Sequence, residues 1–169
     1  MNPNRSEGDV TKGRELLGIY LNDHLAASIA GHELAKRSAK NNKGTEFGPF
    51  LQELATEIEA DQRSLRLVMD RLGVKPNPIK DSGAWLAEKI GRLKLNGSLT
   101  GYSELSRVVE LEGLAVGIVG KAALWRSMKT ALPEGLDGVD LDELMARADK
   151  QRIGVEEHRL KAAAIAFTA

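Results

Sequence analysis

A chain of 169 residues has the usual length of one domain with a sizeable hydrophobic core. Its 24 Lys and Arg residues balance its 24 Asp and Glu residues, and a neutral chain argues against nucleic acid or an anionic membrane as the main partner. The chain has no cysteine, which excludes disulfides, thiolate catalysis and cysteine-based zinc or iron–sulfur sites.

Other features favour a helical protein of the cytoplasm. The N-terminal residues contain no apolar core of the kind found in signal peptides. No apolar run reaches the ~20 residues that a membrane-spanning helix needs, so no membrane partner is expected. Aromatic residues make up only 4% of the chain while Ala and Leu are common, which suits packed helices better than sheets.

The chain begins with a short arm, predicted to be flexible over residues 1–8. A first long helix is expected to start near Asp9 or Thr11 and to end near Lys40. Its apolar residues recur at helical spacing. They are Leu16, Tyr20, Ala27, Ala30, Gly31 and Leu34. The residues NNKGT then break the pattern.

The second helix has the most regular pattern in the sequence. We expect Thr45 or Gly48 to cap it and Leu72 to end it, with Gly73 in the left-handed position that follows many helices. Its core-facing positions are spaced alternately by three and four residues. They are Leu51, Leu54, Ile58, Asp61, Leu65, Val68 and Leu72.

A long crossover is predicted over residues 74–102, with a short amphipathic helix of its own from about Asp81 to Leu93. The third long helix, from Leu105 to Leu132, follows the N-cap Ser103 and is the most apolar segment. Its apolar positions cover an arc of roughly 220°. The fourth long helix is expected to begin at the N-cap Asp140. No internal repeat or long linker divides the chain, so residues 1–169 are expected to form one domain.

Three glycines share one face of the third helix: Gly113, Gly117 and Gly120. Two interpretations fit this face. The glycines could let helices approach closely within one molecule, or they could form a close contact in a homodimer. The apolar arc is wide for a helix in a four-helix bundle, which favours a dimer through this helix.

Helix lengths and order, with one long crossover, resemble the ferritin-like superfamily. The resemblance rests also on YLNDHLAASIAGHEL in the first helix and LATEIEADQRSLRLVMDRLGV in the second. It implies an all-α four-helix bundle with the crossover between the second and third long helices. The residue pattern of these helices is similar to that of an uncharacterised bacterial group of ferritin-like proteins, and this similarity implies no particular activity.

The chemical signature of di-iron ferritin-like proteins is Glu-x-x-His on two of the helices. The chain contains only the histidines His24, His32 and His158, and none of them follows a carboxylate at this spacing. The motif is therefore absent. Because this motif is the most specific mark of the di-iron proteins, the resemblance does not imply iron chemistry for this chain.

Several charged residues nevertheless lie on predicted core faces, where charges must be paired or bind a ligand. The favoured hypothesis is a buried ion network in which Arg152 or Arg159 holds Asp61. Its five members are Asp23, Asp61, Glu112, Arg152 and Arg159. The alternative is an iron or manganese site. Its candidate ligands are Asp23, His24, Asp61, Glu112 and His158.

Three classes of function remain open. The favoured one is a non-catalytic structural or interaction module without a cofactor. The second is a metal-dependent oxidoreductase or metal store. The third is a small-molecule binder with a cavity beside Trp125 and Tyr20, which a well-formed apolar pocket would distinguish. No nucleophile, phosphate-binding or dinucleotide-binding motif occurs.

Overall fold

The computed structural model describes residues 7–77 and 101–168 and shows an all-helical fold. The four long helices are α1 (Glu7–Asn41), α2 (Gly48–Arg71), α3 (Glu104–Ala131) and α4 (Leu141–Phe167). No strand occurs over these ranges, apart from a single bridge between Leu136 and Val139. The predicted all-α class is thus confirmed. None of the four helices is apolar enough over sufficient length to cross a membrane.

Most helix ends follow their local sequence signals. Ser103 caps α3 and forms a reciprocal pair of bonds with Ser106, and the Asp140 carboxylate accepts a bond from the backbone of Glu143 at the start of α4. Gly73 has a φ of 67°, as expected for a residue after a helix. The predicted cap of α2 is wrong, because the cap position belongs to Phe47, which makes no side-chain cap bond.

Neighbouring helices run antiparallel. α1 packs against α2 and α3, and α3 packs against α4. Near the end of α1, Arg37 pairs with Glu110 at 3.1 Å, whereas Tyr20, earlier in α1, lies beside Ser127, later in α3. Side chains of α2 and α4 show the same relation, since Glu57 pairs with Lys150, whereas Asp61, later in α2, pairs with Arg147, earlier in α4.

These pairings give α2 and α3 the same direction. Arg71 at the end of α2 pairs with Asp137 in the loop after α3, while Arg107 at the start of α3 bonds to Asn42 in the loop before α2. The connection between the two helices therefore joins opposite ends of the bundle. The predicted helix Asp81–Leu93 lies outside the described residues.

The core consists of two apolar clusters along the bundle axis. One lies around Phe47, Leu51 and Leu111, at the end where α1 passes into α2. The other lies around Trp125 and Leu144. Fully burying one large apolar side chain stabilises the fold by about 1.5–3 kcal/mol, so each cluster is a major source of stability. Asp61 lies in α2 between the two clusters.

Candidate functional site

Asp61 is the centre of a buried polar cluster. Its side chain is 3% exposed. Arg147 Nε donates to Oδ1 at 2.7 Å, and Gln151 Nε2 donates to Oδ2 at 3.1 Å. Lys121 Nζ donates to the same Oδ2 and also to Gln151 Oε1. We call these four residues the Asp61 cluster. It joins α2, α3 and α4 near the middle of the bundle.

The predicted partners of Asp61 are wrong. Arg152 is 50% exposed and lies 3.8 Å from Asp149, while Arg159 bonds to Glu156 at 2.7 Å. The reason is helix phase. Arg147 and Gln151 are four residues apart and share a face of α4. Arg152 points ~100° away from Gln151, and Arg159 lies about two turns further along the helix.

Two other members of the predicted network also lie away from Asp61. Asp23 is exposed on α1. Glu112 is 53% exposed and pairs with Arg159 at 3.6 Å, so this pair belongs to the surface of the bundle. Of the five predicted members, the structure places only Asp61 in the buried cluster.

The candidate metal ligands are dispersed rather than gathered. His24 lies edge-on to Tyr20, with ring centroids 4.6 Å apart. His158 stacks on Phe50 at 3.7 Å, and its Nδ1 lies 2.8 Å from the carbonyl oxygen of Gly154. Within the described ranges, no three His, Asp or Glu side chains come close enough together to hold a metal ion. These residues do not fit a metal centre.

A cavity of about 270 Å³ lies between α1, α2 and α3. Its wall is mostly apolar and is formed by small residues of α1, including Ala27 and Gly31, and by the glycine face of α3. The indole of Trp125 and the side chains of Lys121 and Asp61 also line it. We call it the α1–α3 cavity, and it brings the Asp61 cluster into contact with an apolar chamber.

The glycines of α3 leave the cavity open. A Cβ atom at Gly113 would come within 3.1 Å of Leu34 Cδ2, so this glycine permits close packing of α1 against α3. At Gly117 and Gly120, an added Cβ would meet no atom of the described residues within 4 Å. Close packing within the molecule therefore explains Gly113 and leaves the other two glycines unexplained.

Two hydrogen-bond donors beside the cavity are incompletely used. Trp125 Nε1 is buried and has no partner among the described residues. Lys121 has three N–H groups, and only Asp61 and Gln151 accept from it in the part of the chain that the structure describes. An unmade hydrogen bond in a buried place costs free energy, so the partly used ammonium of Lys121 favours a site that receives an acceptor.

Burial changes the acid–base behaviour of two residues at the cavity. It lowers the pKa of the Lys121 ammonium, and the nearby Asp61 carboxylate opposes this effect. Burial also lowers the pKa of His24, against the influence of Asp23. The imidazole of His24 therefore favours the neutral form at pH 7 and adds no positive charge there.

A second polar cluster, in which Asn42, Arg107 and Glu110 are buried, closes the end of the bundle where α3 begins. Arg37 Nε donates to one oxygen of Glu110 at 3.1 Å, and the Tyr102 hydroxyl donates to the other at 3.0 Å. Asn42 donates to the Tyr102 hydroxyl at 2.7 Å and accepts from Arg107 Nε at 2.5 Å. We call these five residues the end cluster.

Sequence reasoning missed the cations and amides of both clusters. One signal was present in the sequence: Lys121 lies inside the most apolar segment of the chain, between Gly120 and Ala122. A lysine in that setting must be paired or serve a ligand. Arg147 and Gln151 gave no comparable signal, because their neighbours in sequence are mostly polar or small.

Comparisons with known proteins identify no relative: no protein-family model, no curated protein and no solved structure matches the chain. The functional interpretation therefore rests on the cavity and its residues.

Proposed function

We propose that this bundle binds a small, mostly apolar molecule in the α1–α3 cavity. The observation that carries the proposal is an apolar chamber of about 270 Å³ lined by a buried indole whose N–H has no partner among the described residues. A dry cavity of ~150 Å³ is large enough for benzene, and drug-sized ligands occupy sites from ~300 Å³ upward. The volume suits a ligand of about ten non-hydrogen atoms.

Helix energetics support the proposal. Gly in the middle of a helix costs up to ~1 kcal/mol relative to Ala. Gly117 and Gly120 carry this cost in the middle of α3 without close packing against any described residue. A bound molecule would supply the missing dispersion contacts along this wall.

Filling the cavity tests the proposal. Gly120→Leu should place an apolar side chain in the ligand space, whereas Gly13→Leu, at an exposed position of α1 with open space around it, is the matched control. With indole and 1-octanol as probes, the wild type and the control should show a raised Tm, because a ligand that binds only the folded state stabilises it.

The filled variant should lose this response while keeping its helical circular dichroism. The proposal fails if neither probe raises the Tm of the wild type. It also fails if Gly120→Leu responds as strongly as Gly13→Leu, because the bound probe would then lie elsewhere.

A second candidate is an interaction module that self-associates through the exposed residues of α3 at and beside the cavity, which Val116 also lines. Val116 is 74% exposed and Val119 is 54% exposed there, which is unusual for adjacent large apolar residues. Sedimentation should show a dimer that Val116→Lys dissociates and that Ile153→Lys, at an exposed position of α4, leaves intact. A wild-type monomer of 18.3 kDa at high concentration would contradict self-association.

We also propose that the fold is ferritin-like and that the protein acts in the cytoplasm without catalysis. The support for the ferritin-like fold is the helix order, with α2 and α3 in the same direction and a long connection between them. Metal analysis of untagged protein purified without chelator tests the iron or manganese alternative. Stoichiometric iron or manganese would overturn the non-catalytic proposal.

A further inference from the structure

We infer that the occupant of the α1–α3 cavity is a small amphipathic acid, whose apolar body lies along the glycine wall and whose carboxylate accepts a hydrogen bond from Lys121. The inference rests on the proposed function and adds the chemical class of the ligand. It follows from the donors, the acceptors and the charges at the cavity.

The cavity wall contains a donor that is only partly used. The third N–H of Lys121 has no acceptor within the described ranges. The acceptors of the Asp61 cluster are already in use: Asp61 Oδ1 receives Arg147, Oδ2 receives Lys121 and Gln151, and Gln151 Oε1 receives Lys121. A polar ligand group that bonds to the unused N–H of Lys121 must be an acceptor.

The charges favour an anion over a neutral acceptor. Asp61 is one carboxylate shared by two cations, Lys121 and Arg147. Arg147 also pairs with Glu143 at 3.3 Å, whereas Asp61 is the only carboxylate within 4 Å of the Lys121 ammonium among the described residues. Glu57 is engaged by Lys150 at 3.6 Å. Lys121 is thus the less compensated of the two cations that share Asp61.

Burial adds to this preference. The side chain of Lys121 is 15% exposed, and removal from water penalises its charged form. An anion beside Lys121 would offset that penalty, because a charge-assisted hydrogen bond is stronger than a neutral one. The remaining wall is apolar and suits a hydrocarbon chain or ring.

Octanoate and 1-octanol distinguish the apolar contacts from the bond to the ammonium, since they share an alkyl chain and differ in the charge of the head group. Isothermal titration at pH 7 should give the wild type at least a tenfold tighter Kd for octanoate, the effect of about one hydrogen bond to a charged group. Lys121→Met keeps the apolar stem and removes the ammonium. It should abolish the preference for octanoate while 1-octanol still binds.

Lys129→Met is the matched control, because Lys129 lies on the same helix and is half exposed. It should retain the preference for octanoate. Lys121→Met should remain folded, since Arg147 and Gln151 still bond to Asp61.

Equal affinities in the wild type, or a preference that survives Lys121→Met, would overturn the inference. Binding of 1-octanol alone would do so too while leaving the proposed function standing, whereas binding of neither molecule would contradict both.

Discussion

The end cluster and the Asp61 cluster both pair a buried carboxylate, but they differ in what surrounds it. Each holds a carboxylate in the bundle interior together with cations and an amide. In the end cluster, both oxygens of Glu110 and both polar atoms of Asn42 have partners, and Arg107 also lies 4.5 Å from the ring centre of Phe47. In the Asp61 cluster, both carboxylate oxygens also have partners, but Asp61 and Lys121 line the α1–α3 cavity.

This difference separates a structural role from a binding role. A carboxylate and an amide whose polar atoms are all bonded favour one arrangement of the helices around them. The end cluster lies where α1, α2 and α3 meet, so it sets their register. The Asp61 cluster borders an apolar cavity and contributes the partly used ammonium of Lys121 to its wall, which is the arrangement of a recognition site.

The largest expected effect comes from breaking the Asp61 cluster. Asp61→Ala removes the carboxylate that Lys121 and Arg147 share, and should lower the free energy of unfolding by ~3–5 kcal/mol. Asp61→Leu combined with Lys121→Met should recover part of this loss, because the two buried charges disappear together. Urea denaturation measures both.

Arg152→Ala is the control for this cluster. Its side chain is half exposed, so its removal should change the free energy of unfolding by no more than about 0.5 kcal/mol. If Arg152→Ala were as damaging as Asp61→Ala, the arrangement of α4 against α2 described above would be wrong.

A smaller effect is expected from the end cluster. Glu110→Gln preserves the shape of the side chain but weakens its bonds to Arg37 and Tyr102, and should cost ~1–3 kcal/mol in urea denaturation. Octanoate affinity should not change, since Lys121 lies ~16 Å further along α3 at 1.5 Å per residue. A loss of affinity at unchanged fold would show that the two clusters are not functionally distinct.

The glycines of α3 should respond in opposite ways. Gly117→Ala meets open space and should stabilise the unliganded protein by up to ~1 kcal/mol, the propensity difference between the two residues. Gly113→Ala should gain less or lose stability, because its Cβ would come within 3.1 Å of Leu34 Cδ2. Equal gains at both positions would remove the distinction between a packing glycine and a cavity glycine.

The last effect concerns the alkaline titration of Tyr102. Burial, with help from Glu110, raises the pKa of Tyr102 to about 12, although a bond from Asn42 acts in the other direction. Because the pKa is raised in the folded state, the stability linked to this hydroxyl is complete below pH 10 and is lost as the pH rises from 10 to about 12.

The chain has two tyrosines, so Tyr20→Phe leaves the absorbance of Tyr102 to be measured alone. The tyrosinate absorbance of that variant should appear near pH 12. Tyr102→Phe should flatten the dependence of stability on pH between 10 and 12. Absorbance that develops in the folded protein at pH 10 would show that the hydroxyl is not held by the end cluster.

The sequence by itself determined the helices and the burial of Asp61. The alternation of three and four residues in α2 placed Asp61 among Ile58 and Leu65, and both are buried with it. Ser103, Asp140 and Gly73 marked helix ends through bonds and backbone angles that involve only nearby residues. Such features depend on local chemistry, so one chain suffices to find them.

Only the tertiary structure decided which residues face Asp61 and where space remains. A rotation of α4 by one residue exchanges Gln151 for Arg152, and the sequence of α4 supports either choice. The rotation is set by the joint packing of four helices, as are the contact of Gly113 with Leu34 and the open space beside Gly117. The cavity and the partners of Lys121 therefore follow from relations between helices that no single helix specifies.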